Sequence, residues 1–413
     1  MKKRLKAVLV GAAAALFMVG GAQARTLVIN MVPQQPGKQT GFNKVVAAFE
    51  KAHPNIHIKV NNYANADEKI AIRNWLAADP PDIVYWYPGV RMLKFVKPKL
   101  FAPVTSIWTR LDLVHKLAPG VTQQLTYQGQ QWGIPWAYYM WGMYYRKDIF
   151  AKYHLTLPKS WDEFMSDCAE LKKHGVTPIA LGDQDLWPAA GWFDYLDMRT
   201  NGYKAHEALM QGKISYDAPS VQKVFHEWAN LISHGYFTPN ATSYRWQEAQ
   251  NFMFTGKAAM SLIGSFVIPA IPPAMAKDIG FFQFPVIDSK SGPGEDAPID
   301  MFAIPSHAKN KPDAEKFLEF IEDPAIQGKF AAAIGELPVV AHAPLPQNPL
   351  LRQQAAILAS TPHFAQFYDR DNKSAMSKYG MKEFQRLLYD PAQVGTVIKR
   401  MASEEARIYH SAQ

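Results

Sequence analysis

The sequence is almost free of cysteine. Cys168 is the single cysteine among 413 residues, so the chain cannot form an internal disulfide, and no cysteine near the N-terminus could carry a lipid. The capping box Ser160–Glu163 predicts the start of a helix. Cys168 falls on the apolar face of this helix, which is typical of a buried core residue. The sequence therefore predicts a protein without disulfides that is not a lipoprotein.

Long hydrophobic runs are equally scarce, and the single candidate lies at the N-terminus. The basic segment Met1–Lys6 precedes the apolar run Ala7–Val19 and small residues up to Ala24, the pattern of a secretory signal peptide. The run is shorter than the roughly 20 residues of a membrane span. We expect cleavage after Ala24 and a soluble mature protein in a bacterial periplasm, since an exported protein without disulfides fits that compartment better than an animal secretory route.

No stretch carries a run of one charge. The formal net charge is +8, from 44 Lys and Arg against 36 Asp and Glu. Four of the basic residues lie in the predicted signal peptide, which leaves the mature chain at +4. Because the remaining basic residues are scattered, the sequence argues against nucleic acid as a partner.

The common catalytic signatures are absent too. The sequence has no Gly-x-Ser-x-Gly elbow, no phosphate-binding Gly-x-x-x-x-Gly-Lys-Ser/Thr loop and no His-Glu-x-x-His pair. Two acidic pairs lie in polar turns, Asp183 with Asp185 and Asp369 with Asp371. A glycosidase needs two carboxylates that flank one bond. We favour solvated turn residues for both pairs, with the exception that Asp369–Asp371 could fold toward a cleft and offer hydrogen bonds. A secreted glycosidase stays open as an alternative.

The mature chain is long enough for two lobes and opens with strands that alternate with helices. Predicted strands at Thr26–Met31, Ile56–Val60 and Asp82–Trp86 are separated by amphipathic helices, which favours a mostly parallel sheet covered on both faces. Ligands of such sheets bind beyond the carboxyl ends of the strands. This places the segments Pro33–Lys38 and Trp86–Gly89 at a binding edge.

Aromatic side chains are abundant, at 13% of the chain, and many stand at strand ends and loop starts. Sugars offer a C–H face on which an aromatic ring packs and a rim of hydroxyls that bind polar groups, and pockets generally combine apolar walls with a few fixed polar groups. Arg370, between two aspartates, could pair with an acidic sugar, although a surface arginine is the favoured interpretation. The aromatic candidates for a sugar cleft are Trp86, Trp136, Tyr138, Trp187, Trp192, Trp246 and Phe266.

Four ordered motifs resemble the carbohydrate-binding extracellular solute-binding proteins of bacterial ABC importers, the maltose-binding-protein-like family. Each motif alone is weak, but together they span nearly the whole mature chain. They are Asp82–Trp86 after Pro-Pro, Gly133–Pro135 running on to Met143–Phe150, Gly256–Met260 followed by Gly264–Phe266, and Asp300–Pro305 ahead of the predicted helix Pro312–Glu322.

The resemblance implies an α/β fold of the type II periplasmic kind. Two lobes, each a mostly parallel sheet flanked by helices, are joined by crossover strands, one of them at Met140–Tyr145. The N-terminal lobe would comprise residues 25–138 plus 303–342, and the C-terminal lobe residues 139–302 plus 343–413. Hinge closure would trap a ligand in the cleft.

The resemblance also implies a function and a site. The protein would be a monomer without cofactor or catalysis. It would capture a mono- to oligosaccharide or a polyol and deliver it to the permease subunits in the inner membrane. A smaller ring stands at Phe266, where the family often has tryptophan. The cleft positions implied by the family pattern are Trp86, Tyr138, Gly264, Ser265, Phe266 and Asp300.

A ferric-ion-binding protein of similar fold is a second alternative. Tyr138–Tyr139 and Tyr144–Tyr145 are adjacent tyrosines, and iron binders use two neighbouring tyrosinates. Against this, neighbouring residues of a strand point to opposite faces, and a tryptophan-rich cleft suits an organic ligand better than an ion.

Overall fold

The computed structural model of the protein describes residues 25–32, 36–292 and 294–410. The predicted signal peptide and its cleavage site therefore lie outside the described residues, as do Pro33, Gln34 and Gln35. Within the described ranges, no helix is both long and apolar enough to cross a membrane.

The strands and helices alternate along the chain as the sequence predicts. The strands of the described residues are β1 (Arg25–Met31), β2 (Ile56–Asn62), β3 (Ile83–Trp86), β4 (Thr126–Tyr127), β5 (Gln130–Gln131), β6 (Ile134–Tyr138), β7 (Trp141–Arg146), β8 (Thr177–Ile179), β9 (Ala258–Gly264), β10 (Ile279–Phe282), β11 (Glu295–Asp296), β12 (Ile299–Ala303) and β13 (Phe364–Ala365). The helices are α1 (Pro36–Ala52), α2 (Asn65–Ala78), α3 (Val90–Val96), α4 (Thr105–Leu111), α5 (Leu113–Lys116), α6 (Pro119–Leu125), α7 (Lys147–Lys152), α8 (Trp161–Lys173), α9 (Pro188–Asn201), α10 (Tyr203–Met210), α11 (Pro219–Ser233), α12 (Trp246–Phe254), α13 (Lys311–Ile321), α14 (Pro324–Ile334), α15 (Pro349–Ser360), α16 (Tyr368–Asp371), α17 (Ser374–Tyr389) and α18 (Val394–Tyr409).

Local sequence explains many of these boundaries. Ser160 accepts a hydrogen bond from the backbone of Glu163, whose side chain returns to the Ser160 backbone, so the predicted capping box starts α8. The same helix buries Cys168 in the core. Pro36 starts α1, so the end of the predicted Pro33–Lys38 loop is the first turn of a helix.

Two separate sheets organise the structure. The first has the order β2-β1-β3-β12-β6, and the second has the order β10-β7-β9-β8. Each sheet has its own apolar cluster, so the described chain forms two lobes, which we call the first and the second lobe after these sheets.

In each sheet a single strand runs against the others. β12 pairs antiparallel with both β3 and β6, and β7 pairs antiparallel with both β9 and β10. β7 is the first strand after the chain passes from the first sheet to the second, and β12 is the first strand after it returns to the first sheet. Strands that arrive from the other lobe therefore interrupt two otherwise parallel sheets.

The crossings meet at one hinge. β6 ends at Tyr138 in the first sheet and β7 begins at Trp141 in the second, while Tyr138 pairs with Ile299 and exchanges backbone hydrogen bonds of 3.1 and 2.8 Å with Leu337. Because β12 pairs with the first sheet from Ile299 onward, we propose that the chain returns to the first lobe before this residue instead of at residue 303. We propose that the last crossing lies between Val340, which packs in the apolar cluster of the first sheet, and Leu350, which packs in that of the second.

Candidate ligand-binding cleft between the two lobes

A cluster of charged side chains lies beside the hinge, and we call Lys38, Asp300, Glu336 and Arg370 the polar cluster. Lys38 Nζ lies 2.8 Å from Asp300 Oδ2 and 3.0 Å from Glu336 Oε1. Arg370 Nη1 lies 3.2 Å from Asp300 Oδ1. All four side chains are buried, so each cation has an anionic partner away from water.

The polar cluster fixes its own charge states. Burial disfavours the charged form of Asp300, but Lys38 and Arg370 outweigh it and lower the pKa of this carboxyl. Burial raises the pKa of Glu336 to about 7, although Lys38 opposes the shift. Asp300 is therefore the permanent anion between two cations.

Six aromatic residues pack together in the second lobe, and we call them the aromatic cluster. Phe266 is central, with ring centroids 5.3 Å from Tyr139, 5.9 Å from Trp141, 6.0 Å from Trp187 and 5.3 Å from Trp246, all edge to face. Trp187 is only partly buried, while the other five are buried. The cluster consists of Tyr139, Trp141, Trp187, Trp246, Phe266 and Phe367.

The turn after β9 makes room for these rings. A Cβ on Gly264 would lie 2.4 Å from the Phe266 ring and 3.1 Å from that of Tyr139, so glycine is required there. The backbone N–H of Ser265 donates to Met140 O at 3.0 Å, which ties the turn to the hinge. Ser265 Oγ is buried and has no hydrogen-bond partner among the described residues.

The two clusters are continuous. Arg370 Nη2 donates to the hydroxyl of Tyr139 at 2.6 Å, and its guanidinium stacks 4.1 Å from the centroid of Tyr87. Tyr139 then contacts Phe266. The polar cluster and the aromatic cluster therefore adjoin where the two lobes meet, joined through Arg370 and Tyr139.

Glu68, in the first turn of α2, adds a further acidic group. Its side chain is fully buried, and burial raises its pKa well above the usual value. Neither of its carboxylate oxygens has a hydrogen-bond partner among the described residues.

Asp369 closes one side of the cleft, and we call its contacts with Lys69 and Arg91 the interlobe latch. Lys69 Nζ lies 2.7 Å from Asp369 Oδ2, and Arg91 Nε donates to Asp369 O at 2.6 Å. Burial opposes ionisation of Asp369, but Lys69 and Arg91 outweigh it and lower its pKa to about 2. Asp369 is therefore ionised throughout the physiological pH range.

The structure distributes the predicted site residues over the aromatic cluster, the polar cluster, the hinge and a core. Trp187, Trp246 and Phe266 lie in the aromatic cluster, next to Gly264 and Ser265, while Asp300 and Arg370 lie in the polar cluster. Tyr138 is at the hinge, and Trp136 packs in the first core with Lys38 Nζ 5.6 Å from its ring. Their roles in binding stay predictions.

Trp86 and Trp192 are core residues instead. Trp192 is completely buried among Phe164, Phe237 and Phe284. Trp86 packs against Phe95, because α3 covers the end of β3. The predicted roles of both tryptophans in ligand binding also stay predictions.

Replacing Trp86 with alanine should destabilise the fold. The ring is 1% exposed, and its Nε1 donates to Arg91 O at 3.0 Å, so the variant would lose core packing and a buried hydrogen bond. We expect the free energy of unfolding, measured by urea denaturation, to fall by about 3–5 kcal/mol. An unchanged urea midpoint would contradict this placement.

The expectation of solvated acidic turns and a surface arginine is wrong in three places. Asp183 is buried and accepts a 2.8 Å hydrogen bond from Ala189 N, Asp369 forms the latch, and Arg370 is 5% exposed. Asp185 is exposed, as expected. Tertiary contacts, not local composition, bury these charges.

Sequence reasoning missed several neighbours of the site. Lys38 ends the segment Pro33–Lys38, which the sequence places at a binding edge. Trp141 lies in the stretch Trp132–Phe150, which is rich in tryptophan and tyrosine. Both residues therefore had a local signal. The others had none: Glu68, Glu336 and Phe367.

Two lobes joined by a hinge of crossing strands, with a charged cluster and an aromatic cluster that adjoin beside it, are the architecture of a two-lobed ligand-binding protein. The chain belongs to the bacterial extracellular solute-binding protein family, whose sequence model matches residues 33–328. An uncharacterised ABC transporter extracellular-binding protein of Pyrococcus horikoshii is 28% identical over 79% of this chain and 74% of its own. The multiple sugar-binding protein of Streptococcus mutans is 26% identical over 68% of this chain and 67% of its own.

Solved structures confirm the predicted fold. The bacterial solute receptor AcbH, described as having an exclusive preference for β-D-galactopyranose, superposes with a TM-score of 0.88 at 25% identity, covering 94% of this chain and all of that one. A chitin oligosaccharide binding protein superposes with a TM-score of 0.85 at 21% identity over the same 94% and all of its own chain, which shows the shared fold alone.

Proposed function

We propose that the protein is the substrate-binding component of an ABC sugar importer and captures a carbohydrate between its lobes. One observation carries this proposal: the aromatic cluster and the polar cluster adjoin where the two lobes meet, linked by the 2.6 Å hydrogen bond from Arg370 to Tyr139. The aromatic rings suit the C–H face of a sugar, and the buried charged groups suit its hydroxyls. The sugar-binding relatives support this assignment.

The delivery route is part of the same proposal. Relatives named as ABC transporter binding proteins support release of the sugar to permease subunits in the inner membrane. A monomer, exported to the periplasm and cleaved after Ala24, is the form we propose for this task.

The ligand-binding residues we propose come from the polar cluster, the aromatic cluster, the turn after β9 and the hinge. The second lobe supplies ring faces and the small turn, and the first lobe supplies polar groups through Asp300, with Tyr138 and Trp136 behind them at the hinge. The proposed contact set is Tyr138, Trp187, Trp246, Gly264, Ser265, Phe266, Asp300 and Arg370.

Neither alternative gains support from the site. Burial raises the pKa of Tyr138 to about 12 and that of Tyr139 well above its usual value, which disfavours the tyrosinates that a ferric site needs. Within the described residues, no group of three or more His, Cys, Asp or Glu is placed to hold a metal. The two acidic pairs do not support a glycosidase either. Asp183 is buried whereas Asp185 is exposed, and Asp369 pairs with Lys69 and Arg91.

A thermal-shift screen tests the proposal. Neutral mono-, di- and oligosaccharides are compared with Fe(III), and a sugar at 100 times its dissociation constant should stabilise the protein by about 2.7 kcal/mol. No shift with any sugar, together with a shift and a visible phenolate band with Fe(III), would refute the proposal. Turnover of a chromogenic glycoside would favour the glycosidase.

Exchanging Asp369 for asparagine should weaken sugar binding by about 10- to 100-fold. The amide keeps the backbone acceptor for Arg91 but removes the charge that pairs with Lys69, and a partly buried lysine without its partner costs a few kcal/mol in the closed form. Titration calorimetry measures the affinity, and small-angle scattering should give a larger radius of gyration. Asp79→Asn, which breaks an exposed pair with Lys309, is the control, and equal affinities for the two variants would contradict a latch.

A further inference from the structure

Three exposed cations lie beside the interlobe latch, and we call Arg73, Lys94 and Lys378 the basic seam. Arg73 lies on α2 and Lys94 on α3 of the first lobe, whereas Lys378 lies on α17 of the second. All three side chains are exposed, and none forms an ion pair with a carboxylate of the described residues. An unbalanced set of surface charges attracts a partner of the opposite sign.

A contact between the lobes brings the basic seam together. Arg91 of α3 donates to Ser374 Oγ, at the start of α17, at 3.1 Å. Lys94 follows Arg91 by three residues and Lys378 follows Ser374 by four, so each lies one turn beyond the contact on its helix. Partial burial and, after it, neighbouring cations that include Lys378 and Arg73 lower the pKa of Lys94. Lys94 is therefore close enough to both for mutual repulsion.

The basic seam and the latch together concentrate the positive charge of the protein. In the latch, Lys69 and Arg91 share the single carboxylate of Asp369, which leaves one positive charge in excess. With the three cations of the seam, the excess is four charges, equal to the net charge of the chain after the predicted signal peptide. The remainder of that chain is therefore balanced in formal charge.

The acids on the same helices do not neutralise the basic seam. α3 contains no acidic residue, and Glu383, the acid of α17, pairs with two arginines. On α2, Asp67 lies six residues before Arg73, which places it about 120° away around the helix. Glu68 is buried, which raises its pKa and favours its neutral form.

Exposed apolar side chains flank the cations of the first lobe. Ile70 is 72% exposed and precedes Arg73 by three residues, and Val90 is 36% exposed and precedes Lys94 by four. Each apolar side chain therefore lies beside a cation on the helix surface. Cations next to exposed apolar side chains are typical of helices that bind a membrane surface, so this arrangement favours a lipid surface over an acidic protein.

On the basis of the proposed importer function, we propose that the basic seam binds anionic phospholipid headgroups of the membrane and binds them best when the lobes are closed around the sugar. The seam spans both lobes, so opening would separate Lys378 from Arg73 and Lys94. Anionic headgroups would also neutralise cations that repel one another across the closed seam. Sugar binding and membrane binding therefore strengthen each other.

Vesicle sedimentation with the mature protein tests this contact. The vesicles contain either phosphatidylglycerol mixed with phosphatidylcholine or phosphatidylcholine alone, and the protein is used with and without the sugar found in the thermal-shift screen. The sugar-loaded protein should bind the anionic vesicles at least about 10-fold more tightly than the neutral vesicles, and about 5-fold more tightly than the sugar-free protein does. Added salt should weaken the binding.

Lys94→Gln combined with Lys378→Gln is the test variant, and Lys51→Gln combined with Lys257→Gln is its matched control. Both double variants remove one exposed lysine from each lobe, so their net charges are equal. Lys51 lies in the last turn of α1 and Lys257 directly precedes β9, whose other end reaches the aromatic cluster. The seam variant should lose about 25-fold in vesicle affinity, about 5-fold for each cation, and the control less than about 3-fold.

Equal losses in the two double variants, or equal vesicle binding with and without sugar, would overturn the proposal. Binding of polyglutamate without binding of anionic vesicles would overturn it too and would assign the basic seam to an acidic protein. Calorimetry without vesicles separates this proposal from the sugar receptor, because both double variants should then bind the sugar within about two-fold of wild type. Sugar binding without vesicle binding refutes the membrane contact alone. If no sugar binds, the sugar dependence fails with the proposed function, and the two double variants still decide whether the seam binds lipid.

Discussion

Replacing Trp187 with alanine should lower the affinity for the captured sugar by roughly 50- to 100-fold. Trp187 is the member of the aromatic cluster that keeps partial exposure, and its neighbours Phe266, Trp141 and Trp246 hold it from behind. A sugar ring that covers the indole would bury about 100 Å² of apolar surface, worth about 2–3 kcal/mol. Titration calorimetry with the sugar found in the screen measures this loss.

Trp132→Ala separates stacking from general loss of packing. Trp132 is also partly buried, but it donates to Tyr127 O in the first lobe, away from the aromatic cluster. Both variants should lose similar stability, and only Trp187→Ala should lose affinity. A Trp187 variant that binds the sugar as tightly as the Trp132 variant would place the ligand elsewhere in the cleft.

Local signals in the sequence were sufficient for several of the elements and for three members of the aromatic cluster, Trp187, Trp246 and Phe266. The Ser160 capping box predicted the start of α8, and apolar periodicity predicted α1, because these patterns depend on neighbours within a few residues. Phe266 was found by resemblance and by its place after a strand.

The depth of a tryptophan could not be predicted in the same way. Trp86 ends β3 and Trp187 lies in the loop after β8, but α3 brings Phe95 over Trp86, whereas Trp187 stays partly exposed at the start of α9. Tertiary packing decides which of the two tryptophans a neighbouring helix covers. Their positions in the sequence gave no information on this difference.

The polar cluster had even less local signal. Lys38 is 262 residues from Asp300 and 298 from Glu336, and the three meet only because the return strand β12 and the end of α14 come together at the hinge beside α1. Composition around each residue resembles an ordinary solvated segment. A charged site built from such distant residues becomes visible only when the crossings are placed.

Asp300→Asn should cause the largest loss of stability among the charged residues, about 3 kcal/mol in the free energy of unfolding. The amide keeps the shape but removes the anion between Lys38 and Arg370, and a buried charge left without its partner typically costs 3–5 kcal/mol. Glu336 offsets part of this loss, because with Asp300 neutral it is the remaining carboxylate 3.0 Å from Lys38. Urea denaturation at pH 7 measures the change.

Asp313→Asn shows whether the effect comes from buried charge pairing. Asp313 is equally buried, but its partners Arg25 and Lys316 are about half exposed, so water screens them and the loss should stay near 1 kcal/mol. Equal losses of stability in the two variants would mean that the buried ion pairs of Asp300 contribute no more than the half-exposed ion pairs of Asp313. A larger loss at Asp300, together with weaker sugar binding, would mean that the charge that holds the hinge also prepares the cleft, since Arg370 would then lose the anion that fixes it between Tyr87 and Tyr139.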